Sequence, residues 1–100
     1  MTSQNATSIS RKLTRPSINN AQRGVYHLLV LIGPSTDADL VLLYSGARRL
    51  LNRGYRYPEQ TPSGIRTRRS ELVRKGYIVN TGDKVRPGVT GRKATLWRAV

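Results

Sequence analysis

Arginines and short hydroxyl residues are concentrated between Thr61 and Gly76, where the chain reads TPSGIRTRRSELVRKG. A guanidinium can hydrogen-bond to guanine O6 and N7 at once, and short Ser and Thr side chains let a helix come close to base pairs. The first N–H groups of such a helix also suit a backbone phosphate. We therefore expect this segment to contact double-stranded DNA. The candidate contact residues are Ser63, Gly64, Arg66, Thr67, Arg69, Ser70 and Arg74.

A second basic cluster follows in residues 82–93, where glycines and a proline interrupt regular structure. This stretch lies between two strand-like segments, Tyr77–Asn80 and Ala94–Val100. The pattern predicts a β-hairpin with a long basic tip. Cations on such a tip suit phosphates or a narrow minor groove, where they add affinity more than sequence preference. The cations are Lys84, Arg86, Arg92 and Lys93.

Two helices are expected ahead of these basic segments. The first covers residues 17–32, where apolar residues recur at spacings of three and four until Gly33 and Pro34 end the pattern. The second is capped by Thr36 or Asp37 and stops at Gly54. The inward stripe of the first is Ile18, Ala21, Val25, Leu28, Leu29 and Ile32. That of the second is Leu40, Leu43, Tyr44, Ala47, Leu50 and Leu51.

The third helix has clear boundaries in the sequence. Thr61 suits the N-cap, Pro62 suits the first helical position, and Gly76 suits the C-terminal stop. The inward stripe is thin, consisting of Ile65, Leu72 and Val73 with the aliphatic stem of Arg68 or Arg69. Much of this helix is therefore expected to be exposed. A glycine in its first turn, at position 64, reflects either close approach to a ligand or a fraying end.

Charge and length indicate one small domain with a polyanionic partner. The 100 residues carry 18 Lys and Arg against 5 Asp and Glu, a net charge of +13. Ten of the basic and two of the acidic side chains lie in residues 61–100. Residues 1–15 are polar and basic with little apolar periodicity, which predicts a disordered arm, although a transit peptide has the same composition. Residues 16–100 are expected to form the domain.

Several function classes are disfavoured by composition. There is no cysteine and one histidine, His27, which is expected at the surface or core edge, so no metal site or cofactor is predicted. The scattered carboxylates show no acid/base pair, so we do not expect an enzyme. The longest apolar run, Val25–Ile32, is too short to span a bilayer. A cytoplasmic location without membrane association is the expectation.

The segment Thr61–Val73, followed by Arg74–Ile78, resembles the recognition helix and first wing strand of winged helix-turn-helix domains, in the broad style of MarR-like regulators. It is also similar to small proteins of actinobacterial phages. The resemblance covers residues 36–98, and less distinctly 17–98. It implies an α+β fold, three helices followed by a two-stranded β-hairpin wing, with the third helix in the major groove and the wing on the backbone. The long helices through which MarR regulators dimerise are missing, so neither dimerisation nor effector control follows.

The leading hypothesis is a double-stranded DNA-binding protein, a small transcriptional regulator or a phage-encoded accessory factor. Two alternatives remain open. One is a ribosome- or RNA-associated basic protein, although few aromatic side chains are available for stacking. The other is a winged helix that binds a host or partner protein through its basic face. Val30 and Leu31 widen the apolar surface of the first helix, which allows a homodimer.

Overall fold

The computed structural model describes residues 16–51, 57–86 and 92–100. Within these ranges, three helices are followed by a two-stranded antiparallel hairpin, which confirms the predicted α+β order. The helices are α1 (Asn20–Ile32), α2 (Asp37–Leu51) and α3 (Pro62–Arg74), and the strands are β1 (Ile78–Val85) and β2 (Ala94–Ala99). The predicted arm at residues 1–15, the helix stop at Gly54 and the hairpin tip at residues 87–91 lie outside the described residues.

Helix α1 begins three residues later than predicted. Asn19 and Gln22 form a capping box, in which Gln22 N–H donates to Asn19 Oδ1 at 2.8 Å and Asn19 N–H donates to Gln22 Oε1 at 3.0 Å. This reciprocal pair satisfies two N–H groups that the helix cannot satisfy, so the helix begins after Asn19. At the other end Gly33 follows Ile32 with φ 83°, a backbone conformation open to glycine.

Local capping also sets the starts of the other two helices. Thr36 Oγ1 accepts from Asp39 N–H at 3.1 Å, and Asp39 Oδ2 accepts from Thr36 N–H at 3.2 Å, so Thr36 rather than Asp37 caps α2. Thr61 Oγ1 accepts from Gly64 N–H at 2.9 Å, as the N-cap prediction for α3 requires. The predicted stop is confirmed as well, since Gly76 has φ 85° directly after the C-cap residue.

The core lies where the three helices meet the start of β1. Its buried apolar residues are Val25, Leu28, Leu29, Leu40, Tyr44, Ala47, Tyr57, Ile65, Leu72 and Ile78. The prediction is wrong for two of the inward-facing residues of α2, because Leu43 is 43 % exposed and Leu50 is 78 % exposed. Leu40, Tyr44 and Ala47 already fill the core-facing side of α2, and no described element covers the flank on which Leu43 and Leu50 lie.

The hairpin departs from the predicted loop boundaries. The first strand continues from Ile78 to Val85, whereas a loop was expected from Gly82 onward. Lys84 pairs with Thr95, and the register between Asn80 and Lys84 is irregular. Gly82 has φ 89° within this irregular stretch, so the glycine that predicts a turn instead permits a bulge, after which pairing resumes.

A short bridge connects the hairpin to the helices. Ser35, in the connection between α1 and α2, exchanges backbone hydrogen bonds of 2.9 and 2.8 Å with Trp97 of β2. The periodicity of apolar residues in the sequence does not predict this contact. The bridge fixes the base of the hairpin against the helical unit, because two backbone bonds tie β2 to the start of α2.

Close packing at Gly24 gives a stability prediction. A methyl group there would lie 2.8 Å from Tyr44 Oη, which is buried and donates to Pro58 O at 2.7 Å. Alanine gains about 1 kcal/mol of helix propensity over glycine. Overpacking costs about 1 to 3 kcal/mol, and a disturbed hydrogen bond adds about 1 kcal/mol. We expect Gly24→Ala to lower the free energy of unfolding in urea by about 1 to 3 kcal/mol.

Gly46→Ala is the matched control, since a methyl group at Gly46 of α2 meets nothing within 4 Å. That variant should gain about 0.5 to 1 kcal/mol from helix propensity. Equal gains at positions 24 and 46 would contradict the predicted clash with Tyr44.

Candidate nucleic-acid interface

Helix α3 has one buried side and one polar side. Ile65 and Leu72 are buried, and the opposite side carries the residues that we call the outer face of α3. The outer face consists of Ser63, Arg66, Thr67, Ser70 and Arg74. All of these are exposed except Ser70, which is half-buried. The structure therefore brings five of the predicted contact residues together on one surface.

The outer face has unengaged hydrogen-bonding groups. Arg66 and Arg74 form no hydrogen bond or ion pair with any other described residue, so both guanidinium groups keep their donors for a ligand. Thr67 Oγ1 donates to Ser63 O at 3.0 Å, which uses the hydroxyl proton and leaves the oxygen as an acceptor. This surface can donate to acceptors such as phosphate oxygens or guanine edges.

Arg69 is placed differently from the other predicted contacts. Its Nε and Nη2 donate to the two carboxylate oxygens of Asp37 in α2, both at 2.8 Å. The guanidinium also lies 3.9 Å from the ring centroid of Trp97 in β2. One side chain thus connects α3 with α2 and with the hairpin. A guanidinium held by a bidentate carboxylate and an aromatic ring has few donors left for another ligand.

A second polar network joins α3 to α1. Glu71 accepts from Arg68 Nε at 2.7 Å and from Gln22 Nε2 at 2.8 Å. Lys75 Nζ donates to Gln22 Oε1 at 3.0 Å and to Ser17 O at 2.9 Å. The i, i+3 spacing of Arg68 and Glu71 is visible in the sequence, whereas the role of Gln22 has no sequence signal. Together with Arg69, this network holds both flanks of α3 and leaves the outer face open.

The start of α3 corrects one expectation. A free N–H at Gly64 was expected for phosphate binding, but the Thr61 hydroxyl already accepts from it. A Cβ at Gly64 would lie 3.2 Å from that hydroxyl, so the glycine gives room to the cap. Ser63 N–H makes no hydrogen bond to another described residue and keeps the expected donor role.

The predicted wing cations are all exposed. Lys84 lies in β1, while Arg86, Arg92 and Lys93 flank the tip at residues 87–91. Because Lys84 is paired with Thr95, and Thr95 is two residues from Trp97, all three side chains lie on the same face of the hairpin. Trp97 contacts Arg69 of α3 on that face. Lys84 therefore lies on the side of the hairpin that faces α3.

Aromatic and polar residues fix the segment that leads into α3. Tyr57 is 1 % exposed, and its hydroxyl is hydrogen-bonded to His27 Nδ1 of α1. Tyr44 Oη donates to Pro58 O and accepts from Gln60 Nε2 at 2.9 Å. Burial raises the pKa of Tyr44, which keeps its hydroxyl protonated as a donor. His27 is at the core edge, as predicted, where it helps to position residues 57–60.

We also searched the described residues for a metal site, a membrane-spanning helix and a ligand cleft. Among them, no three His, Cys, Asp or Glu side chains are grouped as metal ligands. None of the helices in the described ranges is long and apolar enough to cross a membrane. An open cleft of about 330 Å³ lies between α1 and β2, lined by Tyr26, Leu29, Val30 and Arg98 among others.

Comparison with known proteins gave no match to a protein-family model, to a curated protein or to a solved structure. The geometry of the outer face and the hairpin is therefore the basis for assigning a function.

Glu71 gives a prediction for acid stability. The hydrogen bond from Arg68, followed by that from Gln22, holds the pKa of Glu71 below its ordinary value of 4.5. A lowered carboxylate pKa contributes stability above the unfolded-state pKa, and this contribution is lost as the pH falls through the folded-state pKa. Between about pH 5 and pH 3, the free energy of unfolding of the wild type should therefore fall more steeply than that of Glu71→Gln.

The difference should stay below about 1 kcal/mol, because the Arg68–Glu71 pair is partly exposed. Glu59→Gln is the control, since Glu59 is exposed and forms no hydrogen bond with a described residue. Urea denaturation across this pH range measures all three proteins. Parallel acid profiles for the wild type and Glu71→Gln would contradict the stated role of Glu71.

Proposed function

We propose that this protein is a winged helix-turn-helix protein that binds double-stranded DNA, with the outer face of α3 in the major groove and the hairpin along the flanking backbone. A regulatory or phage accessory role fits such an activity. The observation that carries the proposal is that the arginines of α3 fall into two groups. Arg68 and Arg69 each form an ion pair with a carboxylate, while Arg66 and Arg74 form no hydrogen bond or ion pair with a described residue and share one exposed side with three hydroxyl residues.

The size of the helix supports this orientation. The 13 residues of α3 extend over about 20 Å, and the major groove is about 12 Å wide and accepts one α-helix. Small hydroxyl residues on either side of Arg66 allow close approach. Arg66 can then form a bidentate pair with guanine, and Arg74, at the C-terminal end, can reach a phosphate.

The hairpin supports the proposal through its position and charge. The Ser35–Trp97 bridge and the Arg69–Trp97 contact fix its base against α2 and α3. Lys84 lies on the face of the hairpin that faces α3. Its positive charge is therefore on the side where a duplex bound to α3 would lie. Contacts from this hairpin are expected to be electrostatic and independent of sequence.

Fluorescence anisotropy with labelled duplexes tests the proposal. The wild type should bind duplex DNA more tightly than structured RNA of equal length at about 0.15 M salt, and selection from a random duplex pool should return a motif. Tighter binding to RNA would contradict the proposal, as would no binding to any duplex at low salt.

The hairpin cations give a separate prediction. Lys84→Ala and Arg86→Ala should each weaken binding to all duplexes alike, by about two- to fivefold, and lower the salt slope by about 0.9 per lost phosphate contact. Arg98→Ala is the matched control. Arg98 is an exposed cation of the same hairpin, but it pairs with Val79 and lies on the face opposite to Trp97. A loss for Arg98→Ala equal to that for Lys84→Ala would contradict the assigned face.

A further inference from the structure

The outward flank of α2 is more apolar than an exposed helix needs to be. Leu42 is 75 % exposed, Leu50 is 78 % exposed and Leu43 is 43 % exposed. At about 100° per residue, these three leucines and Gly46 fall within an arc of about 100°. We call this set the α2 stripe. In contrast, Val30 and Leu31 are adjacent in α1 and point in directions about 100° apart, so they do not form a stripe along a helix.

We propose that the α2 stripe is a homodimer surface, on which a second copy of this chain packs its own α2 in antiparallel orientation. Such a surface must complement itself, and α2 does. Its first turn carries Asp39 and its last turn carries Arg49 on or beside the stripe, so two antiparallel copies place an acidic side chain near a basic one at each end. The opposed helix dipoles favour the same arrangement.

The register follows from the length of the helix. Helix α2 is centred on Tyr44, so two fully overlapped antiparallel copies bring position 42 opposite position 46 and position 39 opposite position 49. Leu42 of each copy then meets Gly46 of the other. A Cβ built on Gly46 has nothing within 4 Å, so this position is an open space that a leucine can fill.

In this register Asp39 of one copy and Arg49 of the other can form an ion pair. Arg49 is exposed and forms no hydrogen bond or ion pair with a described residue. Asp39 uses Oδ2 for the cap of α2 and has its other oxygen for a partner. Arg49 follows Leu42 by seven residues and Gly46 follows Asp39 by seven, so both charges lie along the stripe. The pairing therefore leaves neither end of the stripe with like charges in contact.

The dimer is compatible with an open α3. Asp37 faces α3, because it binds Arg69 there. Leu42 and Leu50 each lie about 140° around α2 from Asp37, which places the stripe on the far side of the helix. A second copy on the stripe thus leaves the outer face of α3 exposed. The inference goes beyond the proposed DNA binding and does not depend on it.

A single helix pair is smaller than the roughly 800 Å² per partner of a standard stable interface. Each copy also carries a net charge of +13, which opposes association at low salt. We therefore expect a weak dimer, with a Kd of about 10 to 1000 µM that becomes tighter as salt rises. DNA binding has the opposite salt dependence, so the two activities can be measured separately.

Sedimentation equilibrium of the full chain without DNA, at about 0.5 M salt and protein concentrations up to about 1 mM, tests the inference. The average mass should rise from 11.2 kDa towards twice that value. Leu42→Asn should weaken the association at least about tenfold, since two buried leucines are lost per dimer. Leu31→Asn is the matched control and should behave as the wild type, because Leu31 is 53 % exposed but lies outside the stripe.

Gly46→Gln separates the interface from the stability of the fold. The substitution should raise the Tm by about 4 °C, since glutamine is a better helix former than glycine. It should also weaken the dimer by at least about tenfold, because the new side chain fills the space that Leu42 of the other copy needs. A wild type that stays monomeric up to about 1 mM would overturn the inference, and so would Leu42→Asn or Gly46→Gln proteins that dimerise as the wild type does.

Discussion

Arg66→Ala is expected to weaken binding to the preferred duplex by about 5- to 150-fold, which corresponds to about 1 to 3 kcal/mol. The same variant should lose most of the base preference at one position of the site. The physical reason is that Arg66 is an exposed cation on the outer face of α3 and spends none of its donors on another described residue. If its fork pairs with guanine O6 and N7, alanine leaves both acceptors without a partner.

Two matched variants separate base reading from charge. Arg66→Lys keeps the positive charge but loses the planar fork, so it should retain the salt slope and lose base preference. Arg74→Ala removes a cation from the same face and should weaken all duplexes alike, with a salt slope lower by about 0.9. Anisotropy titrations on the selected site and on single-base variants measure these effects. Unchanged affinity and preference for Arg66→Ala would remove α3 from the proposed recognition role.

Arg69→Ala is expected to lower the free energy of unfolding by about 2 to 3 kcal/mol, as measured by urea denaturation. Hydrogen bonds to a charged partner are worth about 1.5 to 3 kcal/mol, and a cation–π contact adds about 0.5 to 2 kcal/mol. The loss is moderated because Asp37 keeps a favourable place at the start of α2 after its partner is removed. The chain has one tryptophan, Trp97, so its fluorescence emission should report the lost contact.

Arg68→Ala is the matched control for this experiment. Arg68 is the neighbouring arginine of α3 and also has a bidentate carboxylate partner, Glu71, but the pair spans one turn of one helix and has no contact with a described aromatic ring. Its loss should cost less than about 1 kcal/mol and leave the emission of Trp97 unchanged. Equal losses for the two variants would contradict the role of Arg69 as a connection between elements.

Arg69→Ala also tests whether Arg69 contacts DNA, as the sequence predicts. A phosphate contact predicts a salt slope lower by about 0.9 in Arg69→Ala. A residue that acts by holding α3 against α2 and the hairpin predicts a weaker affinity with the salt slope of the wild type. The structure favours the second outcome, because Asp37 and Trp97 already occupy the guanidinium.

The starts and ends of the helices could be predicted because capping is local. Thr61 and Gly64 are three residues apart, and the hydroxyl that marks the N-cap in the sequence makes that bond in the structure. The same reasoning left Thr36 and Asp37 as alternatives, and the reciprocal bonds with Asp39 decide for Thr36. The hairpin was predicted less well, since a glycine with positive φ occurs both in turns and in bulges.

The exposure of the leucines in α2 could not be predicted from apolar periodicity alone. Leu43 and Leu50 share the helical spacing of core residues, but spacing does not say which flank of α2 a neighbour covers. No element in the described ranges covers that flank, and the homodimer proposal follows from this difference. Helical spacing also fails to predict the contacts of Arg69 in α3. A helical wheel places Arg69 near the edge of the polar side without identifying Asp37 or Trp97 as its partners.

The sequence by itself determined the net charge, the order of helices and strands, the caps of α3 and the polar side on which Arg66 and Arg74 lie. These features depend on composition and on contacts between residues three or four positions apart. Only the tertiary structure decided which cations of α3 are free, through Asp37, Trp97 and Gln22, and which leucines of α2 are exposed. The contacts that hold Arg69 and Glu71 join residues 28 to 49 positions apart in sequence, and no local pattern predicts them.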